Sequence, residues 1–169
     1  MKNLSIPFLA LAVMPVYADS KIENTIITAT RTEQPLSSTL APATLISRDF
    51  IEASQARTVT DLLRMSIGIT ALETGGPGSN TSLFLRGSNS NQTLVLVDGQ
   101  RIASATLGTA AFQHLSTEQI ERIEIIRGPR ASLYGADAIG GVVNIITRQS
   151  SDSNQVILKA GRGSFDSSN

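Results

Sequence analysis

The residues in this chain that could do chemistry are few, and their spacing speaks against catalysis. There is one histidine, His114, and no cysteine, which leaves neither a thiolate nor an imidazole cluster for a metal, and no disulfide. Serines are plentiful, but no Gly-x-Ser-x-Gly elbow holds one, and only His114 could serve as its base. Gly75-Gly76-Pro77-Gly78 has the composition of a phosphate cradle, yet no Gly-Lys-Ser/Thr ending and no helix start follow it. Glu121 and Glu124 read as an ordinary helix or strand face rather than an acid–base pair. The chain is expected not to be an enzyme and to need no cofactor.

What remains is the chemistry of backbone pairing, and the stretch 116–147 organises it. Ser116 and Gln119 make a capping-box pattern that opens a short helical turn. Residues 123–126 then read as a strand, with Glu124 set among β-branched residues. Gly128-Pro129 stops it. A turn over 131–134 leads to Gly140-Gly141 and a second strand, 142–147, too apolar for a solvated edge. About fifteen residues of compact turns between the two strands imply packing rather than a hairpin.

Upstream, 43–46 reads as a strand, and Ser47 caps a short helix bearing Phe50 and Ile51. Thr58 and Asp61 form a second capping box, with Val59, Leu62 and Leu63 on one face of its helix, which Gly68 should end. Residues 69–72 should be extended, and 73–80, with three glycines and a proline, a loop. Strands are expected at 83–87 and 93–99, where Asp98-Gly99 signals a tight turn back through 100–102. Residues 104–111 are a second loop of small and polar residues.

In all, 169 residues with 41% hydrophobic content suffice for one domain with a real core, since about 150 residues bury about 70% of their unfolded surface. Formal net charge is zero and the arginines are scattered, which argues against a nucleic-acid partner.

Glu124-Ile125-Ile126-Arg127-Gly128-Pro129, Leu133-Tyr134-Gly135 and the run from Ala138 through Gly140-Gly141 to Ile146 resemble, in order and spacing, the closing signature of the plug domain of TonB-dependent outer-membrane receptors. Phe84-Leu85-Arg86-Gly87 and Leu96-Val97-Asp98-Gly99 match plug signatures further upstream. The resemblance covers roughly 23–147 and implies an α+β fold, a small mixed β-sheet with short helices, over residues 31–148. Within the family, 28–35, Ala41-Pro42 and 127–147 are most similar to the cobalamin receptor subfamily. In such receptors the plug closes a barrel of about 22 strands. Ligand binds on the outer side, and TonB pulls on the Ton box to remodel the plug.

The two ends carry further expectations. Residues 1–18 read as a secretory signal peptide: an apolar run over 4–16 broken by Pro7 and Pro15, then Val16-Tyr17-Ala18 as the cleavage site. Cleavage removes Lys2 and leaves a net charge of about −1. Residues 19–30 follow, with 19–24 polar. The segment Glu23, Asn24, Thr25, Ile26, Ile27, Thr28, Ala29, Thr30 is β-branched and free of proline and glycine, and so suits strand addition to a partner's sheet edge. The resemblance makes it the Ton box and TonB the partner; the residues alone also fit a first edge strand of the domain. At the other end, 155–161 alternates like a first barrel strand. Residues 149–169 are therefore expected to start a truncated transmembrane β-barrel, since ~22 strands of ~10 residues need well over ~200 more. The exported product would belong to the outer membrane; alone it would stay in the periplasm with an unpaired, aggregation-prone strand.

By alignment from Arg86-Gly87, the subfamily's cobalamin contacts fall on Asn80, Ser82 and Asn89, and near Thr106 and Leu107. Ser82 and Asn89 carry the types that hydrogen-bond corrin amides. Asn80 is polar where the family often has an apolar residue, and the loop of Thr106 and Leu107 is one residue shorter. Arg86, Glu124 and Arg127 are expected to be structural, with the resemblance implying barrel carboxylates as partners. The function implied is the plug portion of a receptor for active cobalamin uptake, not transport-competent alone. An iron chelate such as a siderophore or heme is the alternative ligand, and a free periplasmic TonB-binding module the alternative of another class.

Overall fold

The computed structural model describes residues 25–26, 32, 34–76, 78–102 and 110–149. The expected leader at 1–18, Thr106, Leu107, the expected barrel strand at 155–161 and six residues of the Ton-box segment (Glu23, Asn24, Ile27, Thr28, Ala29, Thr30) lie outside them.

The strands are β1 Thr25–Ile26, β2 Gln34–Pro35, β3 Ala43–Ile46, β4 Ile69–Glu73, β5 Thr81–Leu85, β6 Thr93–Val97, β7 Gln100–Arg101, β8 Ile120–Arg127 and β9 Gly141–Thr147. Three short helices, α1 Arg48–Ser54, α2 Val59–Arg64 and α3 Ala131–Tyr134, complete the α+β framework. Five strands form one mixed sheet in the order β3-β8-β9-β6-β7, in which β6 runs parallel to β9 and the other pairs are antiparallel. β4 and β5 form a separate hairpin, as do β1 and β2.

β8 and β9 lie in the middle because both faces of the sheet are covered. On one face Ile123, Ile125, Val143 and Ile145 pack with Ile51, Leu62, Leu63 and Leu85. On the other, Leu94, Leu96 and Val142 meet Ala138 and Tyr134, while Ile126 meets Leu36 and Leu45. Near-continuous β-branched runs are the pattern such doubly covered strands require.

The local signals fold as their spacing predicts. Ser47 Oγ accepts from the Phe50 amide at 3.4 Å and caps α1. Thr58 Oγ1 accepts from Asp61 N at 3.1 Å while Asp61 Oδ2 accepts from Thr58 N at 3.2 Å, the reciprocal box that starts α2. Asp98 and Gly99 take φ of 50° and 77°, the left-handed pair that a two-residue hairpin of matching twist needs. The Asp98 carboxylate also accepts from Thr147 N at 2.8 Å and Thr147 Oγ1 at 2.7 Å, clamping the end of β9.

Three expectations are corrected. β8 and β9 do not merely pack: they are direct antiparallel partners from Ile120↔Thr147 to Arg127↔Gly141. The turns between them fold back on themselves, with Gly128 N donating to Gly140 O at 3.1 Å and Arg130 N to Ala138 O at 2.8 Å, so the strand ends meet as closely as in a tight hairpin. α2 ends at Arg64 rather than at Gly68, because beyond Met65 the amides reach back three residues instead of four, Ser66 N donating to Leu63 O at 3.0 Å and Ile69 N to Ser66 O at 3.3 Å. The Ser116 cap is one-sided: Ser116 Oγ accepts from Glu118 N at 3.3 Å, opening a single 3-10 turn, Thr117–Gln119. One such turn brings Glu118 N, not Gln119 N, to the hydroxyl.

Candidate functional site

The candidate ligand residues ride on three neighbouring stretches. The β4–β5 hairpin runs in register from Ile69↔Leu85 to Glu73↔Thr81. Its loop is closed by Thr74, whose amide and Oγ1 both donate to Asn80 O, at 3.1 and 3.2 Å. Asn80 is exposed at the mouth of that loop. In β5, Thr81, Leu83 and Leu85 face the core, which leaves Ser82, opposite Leu72, on the outward face with Phe84. Asn89 is exposed and caps the 3-10 turn Ser90–Gln92. Its amide donates to Gln92 Oε1 at 3.1 Å and its carbonyl accepts from Gln92 N at 2.9 Å.

Below these stretches lies a cavity of about 10 Å³ bordered by Thr81, Ser90, Thr93, Ala110 and Phe112. It brings the start of β5, the Asn89 turn and residues 110–112 to one place. Phe112, fully buried there, was not singled out from the sequence; a lone aromatic after a run of small residues was the available signal. The cavity holds a water at most, so any larger ligand would rest on the exposed side chains above it. A larger, open concavity of about 420 Å³ lies by α1 and α2, lined by Gln55, Arg57, Asp61 and Arg64 among others. It shares no residue with the candidate ligand stretches, and a shallow surface between two helices is no match for a ligand on its size alone.

The charges inside the domain are structural. Arg127 is buried on β8. Its Nε and Nη2 donate to Ile67 O at 3.0 and 2.7 Å, and its Nη1 donates to Thr44 Oγ1 at 2.6 Å. It thereby ties the turn after α2 to β3. Burial first, and the Arg86 guanidinium second, lower its pKa from the ordinary arginine value. Glu124 corrects the expectation of an ordinary strand face: it is fully buried, between Leu45 and Asn144 in the sheet register, and accepts from Arg122 Nε at 3.0 Å. A sheet covered on both sides leaves no solvated face for it.

Of the Ton-box segment, Thr25 and Ile26 form β1, paired with the connector strand β2 as Thr25↔Pro35 and Ile26↔Gln34. Among the described residues no cluster of three or more His, Cys, Asp or Glu could hold a metal, and no helix is long and apolar enough to cross a membrane.

Comparison with known proteins bears on this arrangement directly. The TonB-dependent Receptor Plug Domain family matches residues 35–142. The vitamin B12 transporter BtuB of Vibrio cholerae is 48% identical over 144 residues, 85% of this chain and 24% of that protein. BtuB of Photobacterium profundum is 40% identical over 164 residues, 92% of this chain and 27% of that protein. The chain thus spans about a quarter of the length of these relatives. Among solved structures, a substituted ferric enterobactin receptor of Pseudomonas aeruginosa with bound enterobactin superposes with a TM-score of 0.53 at 31% identity, covering 64% of this chain and 18% of that one. The ferric yersiniabactin uptake receptor FyuA of Yersinia pestis superposes at 0.55 with 23% identity, covering 69% and 18%, and shares the fold. These relatives are transporters and receptors, not enzymes.

Proposed function

Because this chain belongs to the TonB-dependent receptor plug domain family, we propose that it is the plug of an outer-membrane receptor that takes up cobalamin. The observation that carries the ligand is the higher identity to vitamin B12 transporters than to the siderophore receptors that share the fold. Cobalamin presents a rim of corrin amides, and Ser82 and Asn89 offer donors and acceptors of the matching kind. Asn80, Thr106 and Leu107 complete the proposed contact set. Residues 1–18 direct export and 31–148 form the plug.

Between them, 23–30 offers its backbone to TonB by strand addition. The internal competitor for that backbone is small. β1 and β2 pair over two residues each, and Pro35 contributes no N–H to the ladder. Exchange of β2 for a TonB strand therefore gives up little.

Uptake of a ferric siderophore is the second reading, favoured by the enterobactin receptor that superposes on this fold. The test is a graft of residues 19–148 in place of the plug of the Vibrio cholerae transporter, titrated with cyanocobalamin and with ferric enterobactin. Cobalamin binding and TonB-dependent uptake are expected; chelate binding without cobalamin binding overturns the proposal.

A further inference from the structure

The turn that carries Asn89 sits directly on a bare Cα. Gly140, at the end of the β8–β9 connection, lies directly against residues 88–92. A Cβ built on Gly140 would stand 2.2 Å from Ser88 Oγ, 2.8 Å from Ser88 Cβ and 3.1 Å from Gln92 O. No side chain fits in that gap. Gly140 N donates to Gln92 O at 2.9 Å, and Gly140 O accepts from Gly128 N at 3.1 Å. One residue thus joins the turn to the base of the two central strands.

The turn itself is a stiff unit. Asn89 and Gln92 cap one another, and Ser88 donates through both its amide and its Oγ to Leu85 O, at 3.0 and 2.8 Å. A stiff body held at few points tilts as a whole when its seat is filled, rather than yielding locally. Gly140 is not among the residues with positive φ, so alanine there meets no backbone obstacle. The obstacle is the turn.

Resting on the reading of Asn89 as a ligand contact, we propose that Gly140 is a positioning residue: its missing side chain fixes the height and tilt at which the 88–92 turn presents Asn89. It does so from beneath, as a seat rather than as a ligand contact. Ser88 is its counterpart, since Ser88 atoms are the first that a side chain at 140 would strike.

Two measurements test this. In the full 169-residue chain, Gly140→Ala should speed hydrogen exchange about tenfold at the amide of position 140, which donates to Gln92 O across the seat, leaving the Gln92 amide, bonded to Asn89 O inside the turn, and the amides of Ile123 and Val143 in the central strands within about twofold. In a Ser88→Gly background the same substitution should change exchange by less than about twofold, because the two atoms struck hardest, Ser88 Oγ and Cβ, are gone and only the 3.1 Å approach to Gln92 O remains. A general loss of stability would instead raise exchange in the central strands too, in both backgrounds. In the receptor graft, affinity for whichever of cyanocobalamin and ferric enterobactin the unsubstituted graft binds should fall about tenfold with Gly140→Ala and recover in the Ser88→Gly background. Unchanged exchange, or equal losses in both backgrounds, overturns the seating. Failure of the unsubstituted graft to bind either probe would count against the ligand reading alone, while the exchange comparison still decides whether Gly140 seats the turn.

Discussion

Replacing Gly141 with alanine should do far more damage than one added methyl group suggests. Gly141 opens β9, facing Arg127 of β8 on one side and Thr93 of β6 on the other. Its φ is 147°, where side chains are rarely accommodated. A Cβ there would stand 2.3 Å from Ile126 O, 2.3 Å from Leu85 Cδ2 and 3.3 Å from Arg127 Cα. Leu85 is fully buried, and the Ile126 carbonyl belongs to a paired strand. Restoring ordinary contact means parting β8 from β9 by about 1 Å at the very point where the register closes. The strained φ costs about 1–3 kcal/mol. Overpacking adds about 1–3 kcal/mol, and the stiffer unfolded chain gives back about 0.4–1 kcal/mol. The net loss of roughly 2–5 kcal/mol is a large part of the ~5–15 kcal/mol that holds a domain folded. Urea unfolding of the full chain, followed by far-UV circular dichroism, should show the midpoint lowered by about 1–3 M at an m of ~1–3 kcal/mol/M. A midpoint within about 0.3 M of the parent, with the same m, would refute the close approach of the two strands.

Smaller effects are expected elsewhere. Thr58→Ala removes the hydroxyl half of the α2 capping box and should cost about 1 kcal/mol, read as a melting temperature lower by several degrees. Arg127→Lys keeps the charge but cannot fork to Ile67 O and Thr44 Oγ1 together; urea unfolding should show a loss of about 1–3 kcal/mol. Arg101→Ala breaks a half-exposed ion pair with Asp137 and should change stability by less than about 1 kcal/mol in the same assay. Ile26→Pro should abolish capture by the TonB C-terminal domain in a pull-down while leaving the melting temperature unchanged, because β1 pairs over two residues only; capture at parental levels would exclude strand addition through this segment.

The candidate site was legible through resemblance more than through chemistry. Asn80, Ser82 and Asn89 are ordinary polar residues until a family motif, Phe84-Leu85-Arg86-Gly87, gives them a frame. Nothing in their types announces a ligand. The convergence of their three stretches above Phe112, and the seat at Gly140, depend on contacts across tens of residues. No pattern along the chain records such contacts.

What the sequence determined on its own is whatever closes within a few residues. Ser47, the Thr58–Asp61 box and the Asp98-Gly99 turn each join donors, acceptors or backbone angles inside one short window. Spacing alone therefore specifies them. The apolar run of β9 likewise announces a strand with no solvated edge. Only the tertiary structure decided which strands become neighbours, that β6 lies parallel to β9, that Glu124 has no solvated side, and that Arg127 finds its partners 60 and 83 residues away. Several β-branched strands are near-equivalent as partners one by one. The choice among them is made by the whole set of ladders, covering helices and turns that can be satisfied together.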